Sequence, residues 1–244
     1  MVDFLNVIGV SSSFDRRVIS ENIFALLYPS QMNITTTLPV SDADTLPFQK
    51  EGVLLSAFDE FIGECGGMDA IHGLSTTDVN NRFQKPLTFV HHASYCELLL
   101  KRGSNKVGIA SVFISHAWKY NFIDVVNALK NKFQDNTDVY IWFDLFSNNQ
   151  HAAPNLPFQW WCTTFKSAIA QFGYTVMILS PWHDPVPLTR AWCLFELYCT
   201  SETKSRFEIV MSPSDEQAFV DAITSDTQGE MNKMLATVSA CIYV

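Results

Sequence analysis

Apolar residues follow two different rhythms along this chain, and the change between them falls near Lys106. Before it the pattern is helical or irregular. Leu54, Leu55, Phe58, Phe61 and Ile62 lie one, three or four positions apart, which predicts a helix over 53–62. Gly63 and the pair Gly66 and Gly67 are placed to end it. Ser75 with Asp78 reads as a capping box for a short helix that must stop near Pro86. Ser94 with Glu97 reads as a second box. Residues 38–47 cluster Pro, Ser and Asp, as loops do.

After Lys106, short β-branched runs alternate with helical ones. The stretches 109–115, 139–143, 175–179 and 207–211 read as strands. Helical spacing covers 121–133, 158–172, 188–203 and the segment from Pro213 onward. Strand alternating with helix predicts a parallel sheet covered on both faces, so the expected class is α/β. In such sheets ligands bind at the carboxyl ends of the strands. Those ends are Ser115 to Trp118, Asp144 with its loop, and Ser180 to Trp182. The expected division is a helical and irregular extension over 1–105 and an α/β domain over 106–244.

Composition changes this picture little. The 244 residues are 48% hydrophobic and 17% charged, the balance of a globular chain with a large core. A net charge of −9 without a basic stripe argues against nucleic-acid or anionic-membrane binding. Six cysteines include no CxxC pair, and several sit in apolar runs, so they read as buried thiols of a cytoplasmic protein. Asp3 stands where a signal peptide wants a basic residue, and no apolar run reaches the roughly 20 residues of a membrane span.

The most informative stretch is LTRAWCLFELYC, residues 188–199. Between Ala191 and Cys199 the one charge is Glu196. Helical spacing places Glu196 on a face with Thr189, Trp192, Cys193, Cys199, Thr200 and Thr203. The other side would then offer Leu194, Leu197 and Tyr198 to the core. Glu196 either borders a cleft or simply faces solvent.

Here the chain resembles a family. Val112 to Ser115 looks like the first strand of Toll/interleukin-1 receptor (TIR) domains, and VYIWFD, ending at Asp144, like their second. Ile178 to Ser180, followed by Trp192-Cys193-Leu194-Phe195-Glu196-Leu197, is similar to the third strand and the WCxxEL helix of plant TIR domains. The resemblance covers roughly residues 107–212. The loop after Asp144 is longer than usual and lacks the common glycine, and no clear fifth strand precedes the end of the sequence. Residues 76–100, together with VFISHAWKY, also resemble uncharacterised multidomain proteins of algae and other protists.

The resemblance implies a flavodoxin-like parallel sheet of four to five strands. It also implies an NAD glycohydrolase that cleaves the nicotinamide–ribose bond, with NAD as substrate rather than cofactor and Glu196 as the catalytic carboxylate. Self-association would gate activity, with homo-oligomers or other TIR-like domains as partners. Around Glu196, Trp118 either stacks on a base or packs in the core. His116 bonds ribose or phosphate, or is structural. Trp182 walls the site or belongs to a rigid turn. Arg190 helps hold a pyrophosphate or lies on the surface. Asp144 lines the site or caps its loop, while Ser115 and Trp192 complete the expected lining. The rival readings are a non-catalytic TIR-type assembly module and another ribosyl-transfer enzyme. Metal chemistry through His151, His183 and Asp184, and thiol chemistry through Cys193, lack diagnostic spacing.

Overall fold

A computed structural model describes residues 48–152 and 164–225, together with Gly229 and Asn232. Its centre is a six-stranded mixed sheet. The strands are β1 (Glu51–Val53), β2 (Val107–Ile109), β3 (Val112–Ser115), β4 (Ile141–Trp142), β5 (Tyr174–Ile178) and β6 (Arg206–Val210). They lie in the order β2-β1-β4-β3-β5-β6. The four strands from β4 to β6 run parallel, and β1 pairs antiparallel with both β2 and β4. The parallel part keeps the flavodoxin-like order, second strand, first, third, fourth.

Helices cover both faces. The longer ones are α1 (Leu55–Glu64), α2 (Tyr95–Lys101), α3 (Phe122–Lys132), α4 (Lys166–Phe172), α5 (Ala191–Glu202) and α6 (Pro213–Thr224). Alternation along β3 shows how the layers divide. Val112 and Ile114 enter a large core with Phe58, Phe61, Phe122 and Phe143. Phe113 faces the other way, into a smaller core with Trp142, Phe165, Phe172 and Cys199. Ser115 points with Phe113, toward the α4 and α5 side.

Several sequence expectations change in three dimensions. The run 109–115 is not one strand. It breaks at Ala110 and Ser111, giving β2 and β3 on separate sheet partners. β1 falls just before the predicted 53–62 helix, too short to show alternation in sequence. Because β1 sits between β2 and β4, the division drawn at 105/106 runs through one sheet and one hydrophobic core. The helical run begun at Ser75 does not stop at Pro86. A π-helical turn over Asn80–Gln84 precedes the segment Lys85–Thr88. Pro86 then falls in the first turn of that new segment, where its missing N–H is tolerated. Both capping boxes are present as read. The expected helix over 158–172 is described from residue 164, as α4 after a short turn, and its earlier part lies outside the described residues. Cys65, Cys96, Cys193 and Cys199 are free and buried, while Cys162 and Cys241 lie outside the described residues. Among the described residues, no helix is long and apolar enough to cross a membrane.

Candidate functional site

The helix carrying Glu196 buries mainly the face opposite to the one its sequence favoured, with Leu197 alone of the expected core residues buried. Cys193, Glu196, Leu197, Cys199 and Thr200 are buried, whereas Leu194 and Tyr198 are only half-buried. The reason lies in size and hydrogen bonding rather than hydrophobicity. Small side chains let α5 approach β5, where the Thr200 hydroxyl lies 2.9 Å from that of Thr175. The same Thr200 hydroxyl donates to the Glu196 carbonyl at 2.8 Å, one turn back.

This packing carries Glu196 inward, to 6% exposure. Ser115, at the carboxyl end of β3 and fully buried, donates its hydroxyl to the Glu196 carboxylate. Burial pushes the Glu196 carboxyl up to about 8, and the charge of Asp144 adds to the rise. The Ser115 bond, the Arg190 charge and a bond from Trp192 all oppose it.

Asp144 opens a single helical turn just after β4. Trp118 donates its indole N–H to one carboxylate oxygen, and Gln150 fixes the backbone by donating to the Asp144 carbonyl at 2.7 Å. The second carboxylate oxygen accepts no hydrogen bond, although 26% of the side chain is exposed. Burial raises this carboxyl to about 6, against the Trp118 bond, the Leu145 N–H and Arg190. His116 follows Ser115 and stacks on Phe143, centroids 4.7 Å apart. Its Nδ1 lies 3.9 Å from that free Asp144 oxygen, and its buried Nε2 has no partner. Burial, helped by Arg190, drops the imidazole to about 3, so the ring is neutral.

The sheet thus brings Ser115, His116, Trp118, Asp144, Arg190 and Trp192 around Glu196. Arg190 occupies the position before the first turn of α5 and reaches both carboxyls, the imidazole and Cys193 through its field alone. Trp192 also packs on Phe165 and Phe195.

Trp182 does not join this group. It is buried, with its ring edge-on to Phe219 of α6 at 5.4 Å, so it anchors α6 rather than walling the site. Cys193 lies nearer, its thiol 3.8 Å from the His116 carbonyl, but burial and Glu196 keep it firmly protonated. His183 and Asp184 are exposed, and among the described residues no three His, Cys, Asp or Glu side chains are grouped to hold a metal.

Sequence reading missed Phe143, the platform for His116, because an apolar residue ending a strand carries no chemical signature. The carboxyl ends of β3 and β5, where the sequence placed a ligand crevice, do border a cleft of about 290 Å³, with Lys119, Tyr120, Ser180 and Ser212 around it. That cleft sits at the topological switch point of the parallel strands, and Glu196 does not line it.

What the arrangement can do follows from its parts. A carboxyl in a dry setting has a strong field and a responsive proton. A second carboxyl and a guanidinium lie within its electrostatic reach, and a neutral imidazole follows Ser115 in the chain. No protein-family model, curated protein or solved structure matches the chain.

Proposed function

We propose that the chain is a TIR-like NAD glycohydrolase in which Glu196 acts at the N-glycosidic carbon. The observation that carries this reading is the Glu196 carboxyl, buried at the carboxyl end of the sheet and oriented by Ser115. A purely assembling module has no need of such a group, and an exposed Glu196 would have favoured that alternative.

The chemistry suits one carboxylate. Nicotinamide leaves NAD as a neutral molecule, taking the bonding electron pair to its ring nitrogen, so no general acid is required. The ribosyl fragment becomes oxocarbenium-like, and an ionised Glu196 stabilises its positive charge. Water then adds to the anomeric carbon and loses a proton, giving ADP-ribose; attack by the adenine ring gives a cyclic isomer instead. Before substrate binds, burial lets Glu196 keep its proton up to about pH 8. A cationic nicotinamide ring beside it favours ionisation, so substrate itself prepares the catalytic form. Asp144 shares that role, and Arg190 offers its charge to the pyrophosphate. The four buried free thiols suit a reducing cytoplasm.

Nicotinamide release from NAD, followed at high and low protein concentration, tests the reading. Release by the wild type and its loss in Glu196→Ala support it. A rate per molecule that rises with concentration supports gating by self-association. Release that survives the substitution moves the chemistry elsewhere, and no release at any concentration favours the assembly module.

A further inference from the structure

The cleft between the carboxyl ends of β3 and β5 holds about 290 Å³, at the lower end of the range for small-molecule sites. Its floor is apolar: Val125, Ala128, Ile178 and Val186 belong to the core and also line the cleft. Ser115, Asp144, Arg190 and Glu196 do not line it, so it is separate from the candidate site.

Two loops meet around this floor. The loop after β3 brings Lys119, Tyr120 and Asn121, and the loop after β5 brings Ser180, Pro181 and Asp184. The Ser180 N–H donates to the Tyr120 hydroxyl oxygen at 3.2 Å, which ties the loops together, and the charge of Asp184 reaches the same phenol. The Asp184 turn is fixed, its N–H donating to the Pro181 carbonyl at 3.2 Å and its carbonyl accepting from the Val186 N–H at 2.8 Å. Several polar groups nearby are already taken. Asp215 accepts from both Ser180 and Ser212. The first N–H groups of α3 go to the Leu74 carbonyl and the Asn121 side chain, so that helix end does not serve an anion. Charge is what remains. Lys119 brings an ammonium and Asp124 and Asp184 each a carboxylate to the lining, all three exposed. Among the described residues, none of the three side chains forms an ion pair or a hydrogen bond.

We propose that this cleft binds a zwitterionic α-amino acid with an aliphatic side chain. Lys119, in the loop after β3, takes the ligand carboxylate. Asp184, in the loop after β5, takes the ammonium, and the apolar floor takes the side chain. The Tyr120 hydroxyl and the Asn121 amide are further donors for the carboxylate. A ligand bearing both charges meets an opposite charge on each loop. A simple anion would meet two carboxylates, and a simple amine would leave Lys119 facing a second cation. Because its lining lies apart from the Glu196 group, this inference stands independently of the glycohydrolase reading.

The test is an NMR titration of the full chain with three probes: L-leucine, 4-methylpentanoate, which lacks its ammonium, and 3-methylbutylamine, which lacks its carboxylate. Wild type is compared with Lys119→Met and Asp184→Asn. Both positions are exposed, so both variants should melt at the wild-type temperature. Wild type is expected to bind L-leucine about fivefold or more tightly than either analogue, with the amide signals of Asn121 and Asp184 moving. Lys119→Met should erase the preference over 3-methylbutylamine and keep that over 4-methylpentanoate. Asp184→Asn should do the converse. The proposal is overturned if wild type binds none of the three at millimolar concentration, or if it binds an analogue as tightly as L-leucine. It is equally overturned if both variants keep both preferences.

Discussion

Ser115, the last residue of β3, donates its hydroxyl to Glu196 in α5, 81 positions later in the chain. That bond is what places a carboxyl at the end of the central strand and restrains its pKa from rising further. Ser115→Ala removes it. The Glu196 carboxyl then becomes harder to ionise, so under the glycohydrolase proposal the rise of kcat/KM for nicotinamide release moves to higher pH. At neutral pH the rate falls about tenfold, the scale of one hydrogen bond to a charged group. An unchanged pH profile in Ser115→Ala would mean that the contact has no bearing on the carboxyl.

Burial of Glu196 also makes stability depend on pH. The native carboxyl, at about 8, lies above the ordinary value of 4.5, so the folded state holds its proton more tightly. The resulting stabilisation is complete below pH 4.5 and is lost as pH rises through 8. His116 runs oppositely. Its pKa falls from 6.5 to about 3 on folding, so its contribution is complete above pH 6.5 and lost as pH falls toward 3. Asp144, at about 6, is spent by then. Between pH 6.5 and 8 the slope belongs to Glu196, with a limit of about 1.4 kcal/mol per pH unit for one proton. Urea unfolding across that window should show stability falling in the wild type and level in Glu196→Gln. Parallel curves would contradict the burial of an ionisable carboxyl.

Arg190 depresses the two carboxyls and the imidazole together. Arg190→Ala should therefore raise all three, since a positive charge favours carboxylates and disfavours imidazolium. An NMR titration of His116 and the carboxyl carbons of Asp144 and Glu196 reads this directly. A shift confined to one group would show that Arg190 does not face the cluster as a whole.

Gly52 tests whether the segment before Lys106 belongs to the same folding unit. A Cβ there would stand 2.5 Å from the Ile141 carbonyl oxygen and 2.9 Å from the Ala110 Cβ, forcing β1 away from β4. Gly52→Ala should cost about 1–3 kcal/mol or more, with fluorescence and circular dichroism still melting together. Two separate transitions would mean that β1 and the parallel strands unfold independently.

By itself, the sequence determined the α/β class, the four parallel strands, the two capping boxes and the grouping of most candidate residues at strand ends. Those features rest on local patterns: period, caps and the residue that ends a strand. Only the tertiary structure decided the rest. Three-residue β1 carries too little alternation to be read, yet it pairs on both edges and ties described residues before Lys106 to the sheet. The face that α5 presents depended on Thr175 meeting Thr200 across 25 positions, not on its apolar stripe. Trp182 left the site because Phe219 offered it a partner. Pro86 was passed because a π-helical turn reset the helix before it. For β1, α5 and Trp182, a contact between distant residues outweighed a local preference worth about 1 kcal/mol or less, and such contacts leave no mark on the order of amino acids.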